Sequence, residues 1–383
     1  MEFVEPLCYN VAKGGDDIME KDKYKKIPIS DSHMHLWREM PLADSVDFHS
    51  WVIKEFGYDT ISLMAICEQA VEPTRAVMQN LKTMYLKKVL SPNVYAYSGL
   101  HFRELSPDDD GTYFLNQAKY IKACGYDGIK MFYPMLMYRT GFPYIKLSDS
   151  RFDKFFSYVE REQIPLTLHL GAPEVCFAEN IEDVPLSQRK WYIGKAEHHL
   201  FEAFDDFKKM MDKFPKLKIT VAHFAFITWH MDWAEEWLSK YENLHFDLTP
   251  SLFMYFDFQE NPKEWKEFLI KHADRIIYGT DIGSNTLDVV KYEPGALCHV
   301  VRGFFEETEP IHEFEETFYP MPLPDDVLKK IYKENIMKCY GNKPPKKADY
   351  ERLLEEIARE EAWGIETKLQ AENIETMRAE FLR

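Results

Sequence analysis

Short apolar runs alternate with longer amphipathic stretches along most of the chain. The runs at 28–36, 61–66, 94–101, 128–133, 165–170, 218–224, 244–250 and 275–283 are mostly apolar and β-branched, as expected of strands buried on both faces. Between and after them, 71–90, 112–124, 151–163, 198–214, 232–241, 262–272 and 327–340 carry apolar residues at spacings of three and four, which predicts helices. A strand-then-helix alternation repeated about eight times predicts a closed parallel (β/α)8 barrel. An open doubly wound sheet is the alternative, but the first strand is not followed by the glycine-rich phosphate loop such sheets carry.

The pattern divides the chain into an N-terminal arm (1–26), a barrel domain (27–345) and a charged tail (346–383). In the tail, Leu353, Leu354, Ile357, Trp363, Leu369, Ile374, Met377 and Phe381 form an apolar stripe. It predicts one long helix or a pair broken near Gly364, packed on its own barrel or on a second copy. The segments 133–150 and 284–324 follow the fourth and eighth strands. Loops in those positions lie on the catalytic face of such a barrel, so both are candidate lids.

Composition narrows the function. The chain has 383 residues, and 47 basic against 64 acidic side chains give a net charge of −17, which disfavours nucleic acid and anionic membranes and leaves a small molecule as the expected partner. A homo-oligomer is compatible with the tail. No run reaches the ~18 apolar residues of a membrane helix, and the first ten residues lack a signal peptide's basic and apolar segments, so a cytoplasmic location is expected. The six cysteines form no CxxC pair and suit reduced thiols.

The candidate chemistry sits at strand ends. His33 and His35 are two apart on a strand and share one face. With 13 histidines in the chain, an HxH arises by chance about half the time, so its context matters. That context is His169, His223 and Asp281, each closing a predicted strand, and such ends converge on one mouth of a barrel. Imidazoles with one carboxylate suit a divalent metal, zinc first, with manganese or iron as alternatives. Lys130, on the fourth strand, is a candidate charge for an anionic substrate or a structural ion-pair partner. Trp37, His101, Tyr133, Arg139 and Thr249, at or just past strand ends, are further substrate-binding candidates.

The pieces Asp31-Ser32-His33-Met34-His35-Leu36-Trp37, Leu168-His169-Leu170-Gly171, Val221-Ala222-His223-Phe224 and Tyr278-Gly279-Thr280-Asp281, in that order, resemble the amidohydrolase-related family of the amidohydrolase superfamily. Glu334-Asn335 before Tyr340-Gly341 resembles that family's last barrel helix. The resemblance covers roughly 28–342. It implies one divalent metal on His33, His35, His169 and Asp281, with His223 beside it as a polarising or proton-handling residue. A water bound to such a metal has its pKa lowered towards ~7; Asp281 would take its proton and pass it to the leaving group. The expected activity is hydrolysis of a lactone, cyclic ester or amide. Non-oxidative decarboxylation on the same scaffold is the alternative. A barrel reduced to scaffolding is disfavoured by the intact ligand set, and glycoside hydrolysis by the lack of a second evident carboxylate.

Overall fold

The computed structural model describes residues 24–36, 40–66, 73–133, 145–184, 189, 192, 200–283, 292–365 and 367–383. Its strands are β1 (Ile29–His35), β2 (Tyr58–Met64), β3 (Val94–Gly99), β4 (Gly128–Tyr133), β5 (Leu166–Leu170), β6 (Ile219–Val221), β7 (Leu244–Asp247), β8 (Ile276–Ile277) and β9 (Ile282–Gly283), with a small hairpin, β10 (Ile311–Glu313) and β11 (Glu316–Phe318). The helices are α1 (Leu42–Phe56), α2 (Pro73–Val89), α3 (Thr112–Cys124), α4 (Asp153–Arg161), α5 (Leu200–Lys213), α6 (Met231–Lys240), α7 (Leu252–Glu260), α8 (Pro262–Lys271) and α9 (Tyr292–Glu306). Then come α10 (Asp325–Lys329), which runs through a π turn (Lys330–Glu334) into Asn335–Cys339, and the tail helices α11 (Tyr350–Trp363) and α12 (Lys368–Phe381).

β1 to β8 lie side by side in chain order, all parallel, and β9 pairs with β1 through Met34↔Ile282 and His35↔Gly283. The predicted eighth strand, 275–283, is therefore two pieces. β8 pairs with β7, and the chain then steps to β1, where the Ser32 N–H donates to the Tyr278 carbonyl (3.1 Å) and the Asp281 N–H to the His33 carbonyl (2.9 Å). That step closes the barrel and puts Asp281 beside the HxH strand. Asn335 ties α10 to the start of this segment, its Nδ2 donating to the carbonyls of Ala273 (2.7 Å) and Ile276 (2.8 Å).

The strands are buried on both faces because the helices form an outer shell. One continuous apolar core joins strand residues such as Ile61, Leu63, Leu166 and Ile219 to helix residues such as Phe114, Phe155, Phe207 and Phe304. α1 is absent from the sequence pattern. Its buried face, Leu42, Ser45, Phe48, His49, Val52 and Phe56, contains two polar residues that blur the apolar period. In the expected lid segment 284–324, the described part is largely barrel wall. Cys298, Val300, Val301, Phe304 and Phe305 of α9 are fully buried. The tail is a helix pair, parted at Gly364, that packs on its own barrel. Its Asn373 bonds the Leu42 N–H and the Met40 carbonyl. Cys124, Cys176, Cys298 and Cys339 are free and buried. No helix among the described residues is long and apolar enough to cross a membrane.

Candidate metal centre

β1 delivers the two histidines that the HxH spacing predicts. Their Nε2 atoms are 3.0 Å apart inside the barrel, and both rings are buried. The other nitrogen of each ring is pinned. His35 Nδ1 lies 2.9 Å from the Met64 carbonyl, which only accepts, so Nδ1 carries the proton. His33 Nδ1 lies 2.8 Å from Asp247 Oδ2 and 3.1 Å from Thr249 Oγ1. Burial, with Lys130 nearby, holds both imidazoles well below their ordinary pKa, so they are neutral. Each Nε2 is then unprotonated, and the two lone pairs face each other. Asp281 Oδ1 lies 3.3 Å from His35 Nε2 and 3.7 Å from His33 Nε2. Donor atoms of these three residues all fall within 4.8 Å of one another.

That donor set fits a divalent cation. Two unprotonated imidazole nitrogens and a carboxylate oxygen converging on one point repel one another unless a positive charge lies between them. Lys130, the inward residue of β4, already answers this electrostatically: its Nζ is 2.8 Å from His33 Nε2. It is fully buried, so its charge acts on the imidazoles with little screening by solvent.

Asp281 reaches the cluster from a left-handed backbone (φ 61°), where the chain steps from β8 to β9. His223 does so more sharply. The predicted strand 218–224 ends at Val221, and His223, Phe224, Ala225 and Phe226 all have φ of 53–54°. Bulky residues rarely adopt that conformation. Here the turn is held by Asp247, whose Oδ1 accepts the His223 N–H (2.7 Å) and the Thr249 N–H (3.2 Å). His223 Nδ1 faces the Thr249 carbonyl at 3.2 Å and so bears the proton, which makes Nε2 an acceptor; burial lowers its pKa to about 4. His169, at the end of β5, has a buried Nε2 with no hydrogen-bond partner among the described residues. Its ring stacks on Phe132 (4.9 Å) and meets His223 edge-on (4.8 Å). It stands next to the His33–His35–Asp281 group but is not within its 4.8 Å circle.

Two substrate candidates lie elsewhere. Tyr133 belongs to the apolar core between strands and helices. Lys130 and Phe132 share the inward face of β4, so the aromatic beside the histidines is Phe132, one residue earlier in the alternation. His101 lies two residues past the end of β3. Its Nδ1 is 2.8 Å from the Tyr113 hydroxyl and its ring packs on Trp363, away from the cluster. Thr249 is at the centre, as described. Trp37 and Arg139 lie outside the described residues.

Two buried aspartates complete the site without having been singled out. Asp247 closes β7 as the histidines close theirs, which was the available signal. Asp31 begins the HxH motif. Its Oδ1 accepts the His33 N–H (2.9 Å) and its Oδ2 the Thr280 hydroxyl (2.6 Å), while burial pushes its pKa up to about 7.

Solved structures share this fold at low sequence identity. A TIM-barrel protein from Bordetella bronchiseptica is 12% identical with a TM-score of 0.53, covering 82% of this chain and 99% of that one. A 2,6-dihydroxybenzoate decarboxylase from Rhizobium is 14% identical with a TM-score of 0.50, covering 82% and 99%. A probable 2-pyrone-4,6-dicarboxylic acid hydrolase from Acinetobacter baumannii, with citric acid bound, is 11% identical with a TM-score of 0.50, covering 82% and 100%. At such identities the likeness establishes the fold alone. No curated protein matches the sequence. The amidohydrolase family model, however, matches residues 30–342, a span that holds every residue of the cluster. The chain belongs to the amidohydrolase family and is an enzyme of the metal-dependent amidohydrolase superfamily.

Proposed function

We propose that this enzyme hydrolyses a small carbonyl compound, a lactone, cyclic ester or amide, using one divalent metal. His33, His35 and Asp281 hold the metal, His169 is the fourth ligand, and zinc suits the nitrogen-rich set best. The observation that carries this reading is the pair of unprotonated Nε2 atoms 3.0 Å apart with a carboxylate oxygen 3.3 Å from one of them. When bound, such an ion supplies Lewis-acid polarisation of a carbonyl and acidifies water.

The chain's own groups divide the remaining work. The Asp281 side chain is a quarter exposed, unlike the sealed histidines, so it is the group able to receive a proton and return it to a leaving group. His223, neutral with Nε2 as acceptor, takes a proton more readily than it gives one; this favours the proton-handling role over the polarising one. Lys130 is the buried donor that can stabilise an oxygen gaining charge. Phe132 and the barrel wall exclude bulk water from the histidine side.

The test is a panel of lactones, cyclic amides and aromatic carboxylates, read by product mass. Gain of one water supports hydrolysis. Loss of carbon dioxide from a carboxylate, with no hydrolysis of any lactone or amide, overturns it in favour of decarboxylation.

A further inference from the structure

A cavity of about 310 Å³ lies outside the histidine cluster, between the end of β3, α3 and the tail helix α11. None of the metal-ligand candidates lines it, although His101 does, and α11 lies beyond the residues matched by the family model. Its walls are Tyr113, Tyr120 and Tyr126, with Glu356 and Arg359 contributed by α11. The volume is at the small end of the range for ligand pockets, ~300–1,000 Å³.

Two of its polar atoms are buried without a hydrogen-bond partner among the described residues: Glu356 Oε2 and the Tyr126 hydroxyl. Glu356 is only 5% exposed. A carboxylate in that position costs free energy unless something donates to it. The nearby charges do not supply the donor. The Arg359 guanidinium is turned over the Tyr120 ring, 4.9 Å from its centroid. His101 uses Nδ1 on Tyr113, and burial lowers its pKa to about 4, which leaves it neutral. Glu104 adds a second carboxylate at the cavity. Burial raises Glu356 to about 7, and the charge of Arg359 offsets that only in part.

The geometry points to a binding site for a small primary ammonium compound, whose N–H groups donate to Glu356 and Tyr126 while the tyrosine rings enclose its carbon chain. Among the residues lining the cavity the two carboxylates, Glu104 and Glu356, outnumber Arg359, which favours a cation over an anion. The unpartnered acceptor selects an ammonium with N–H donors over a quaternary one. Because the tail supplies Glu356, the site depends on how α11 is docked.

Calorimetric titration of the full metal-loaded chain with n-butylammonium chloride tests this, with tetramethylammonium chloride and n-butanol as comparisons. The expected result is binding of butylammonium, weaker binding of tetramethylammonium and none of butanol. Glu356→Gln should weaken butylammonium about tenfold or more. Tyr126→Phe should weaken it by a smaller factor, and it serves if the first variant does not fold. Asp281→Asn should bind as wild type does. Absence of butylammonium binding, equal binding of butanol or tetramethylammonium, or loss in Asp281→Asn with retention in Glu356→Gln overturns the proposal.

Discussion

Asp247 and His33, 214 positions apart in the chain, are joined by a 2.8 Å hydrogen bond between two buried side chains. Through its other oxygen Asp247 also fixes the His223 backbone, so a single carboxylate sets the tautomer of His33, a proposed metal ligand, and the position of His223, the proposed proton-handling residue. Asp247→Asn keeps the shape but can turn an N–H donor toward His33 Nδ1–H. Its metal affinity should fall about 10–100-fold, with the fold retained. Competition against a chelator measures this, and unchanged affinity would contradict the positioning role.

Gly279 lies where the chain passes behind His33. A Cβ there would sit 2.8 Å from Thr249 Oγ1 and 3.0 Å from His33 Cβ. Gly279→Ala should therefore displace both, at a cost of about 1–3 kcal/mol, and should lower metal content as well as stability. Metal analysis beside urea unfolding reads both. Full metal content with full activity would show that the site tolerates the shift.

His49 is fully buried on α1, and burial lowers its pKa to about 4. The unfolded value is about 6.5. Between these values the unfolded chain holds the proton and the folded chain does not. The contribution of this residue to stability is thus complete above the unfolded value and falls as pH drops towards about 4. Wild type should lose stability relative to His49→Leu by about 1.4 kcal/mol per pH unit across that window. Urea unfolding of both proteins at pH 7.5 and 5.0 checks it. A gap that does not change with pH would contradict it.

Asn373 anchors α12 by accepting from the Leu42 N–H (3.2 Å) and donating to the Met40 carbonyl (3.0 Å). Asn373→Ala strands both buried groups and should cost about 1–3 kcal/mol. Thermal unfolding reads the loss. An unchanged Tm would mean that the tail is held by its apolar face alone.

Strand periodicity and the residues closing each strand made the barrel and most of the centre legible in the sequence. His33 and His35 share a face because the side-chain period is two, and Asp281, His169 and His223 close their runs. What stayed hidden depends on features that period cannot carry. Phe132 and Tyr133 differ by one step of alternation, and only pairing shows which faces inward. The left-handed turn at His223 and the break before Asp281 are held by partners distant in sequence, Asp247 and the backbone of His33. α1 was masked by its buried Ser45 and His49. Glu356 looked like one more charge in a charged tail until the helix pair folded back onto α3.

The proposed chemistry requires a cation at the meeting point of His33, His35 and Asp281. Metal analysis of the purified protein, alongside a His33→Ala/His35→Ala variant, tests it most directly. About one divalent ion per chain in the wild type, and loss of nearly all of it together with turnover in a variant that still folds, is the predicted result. A variant that keeps the wild-type metal content, or a metal-stripped wild type that keeps full activity, would contradict it.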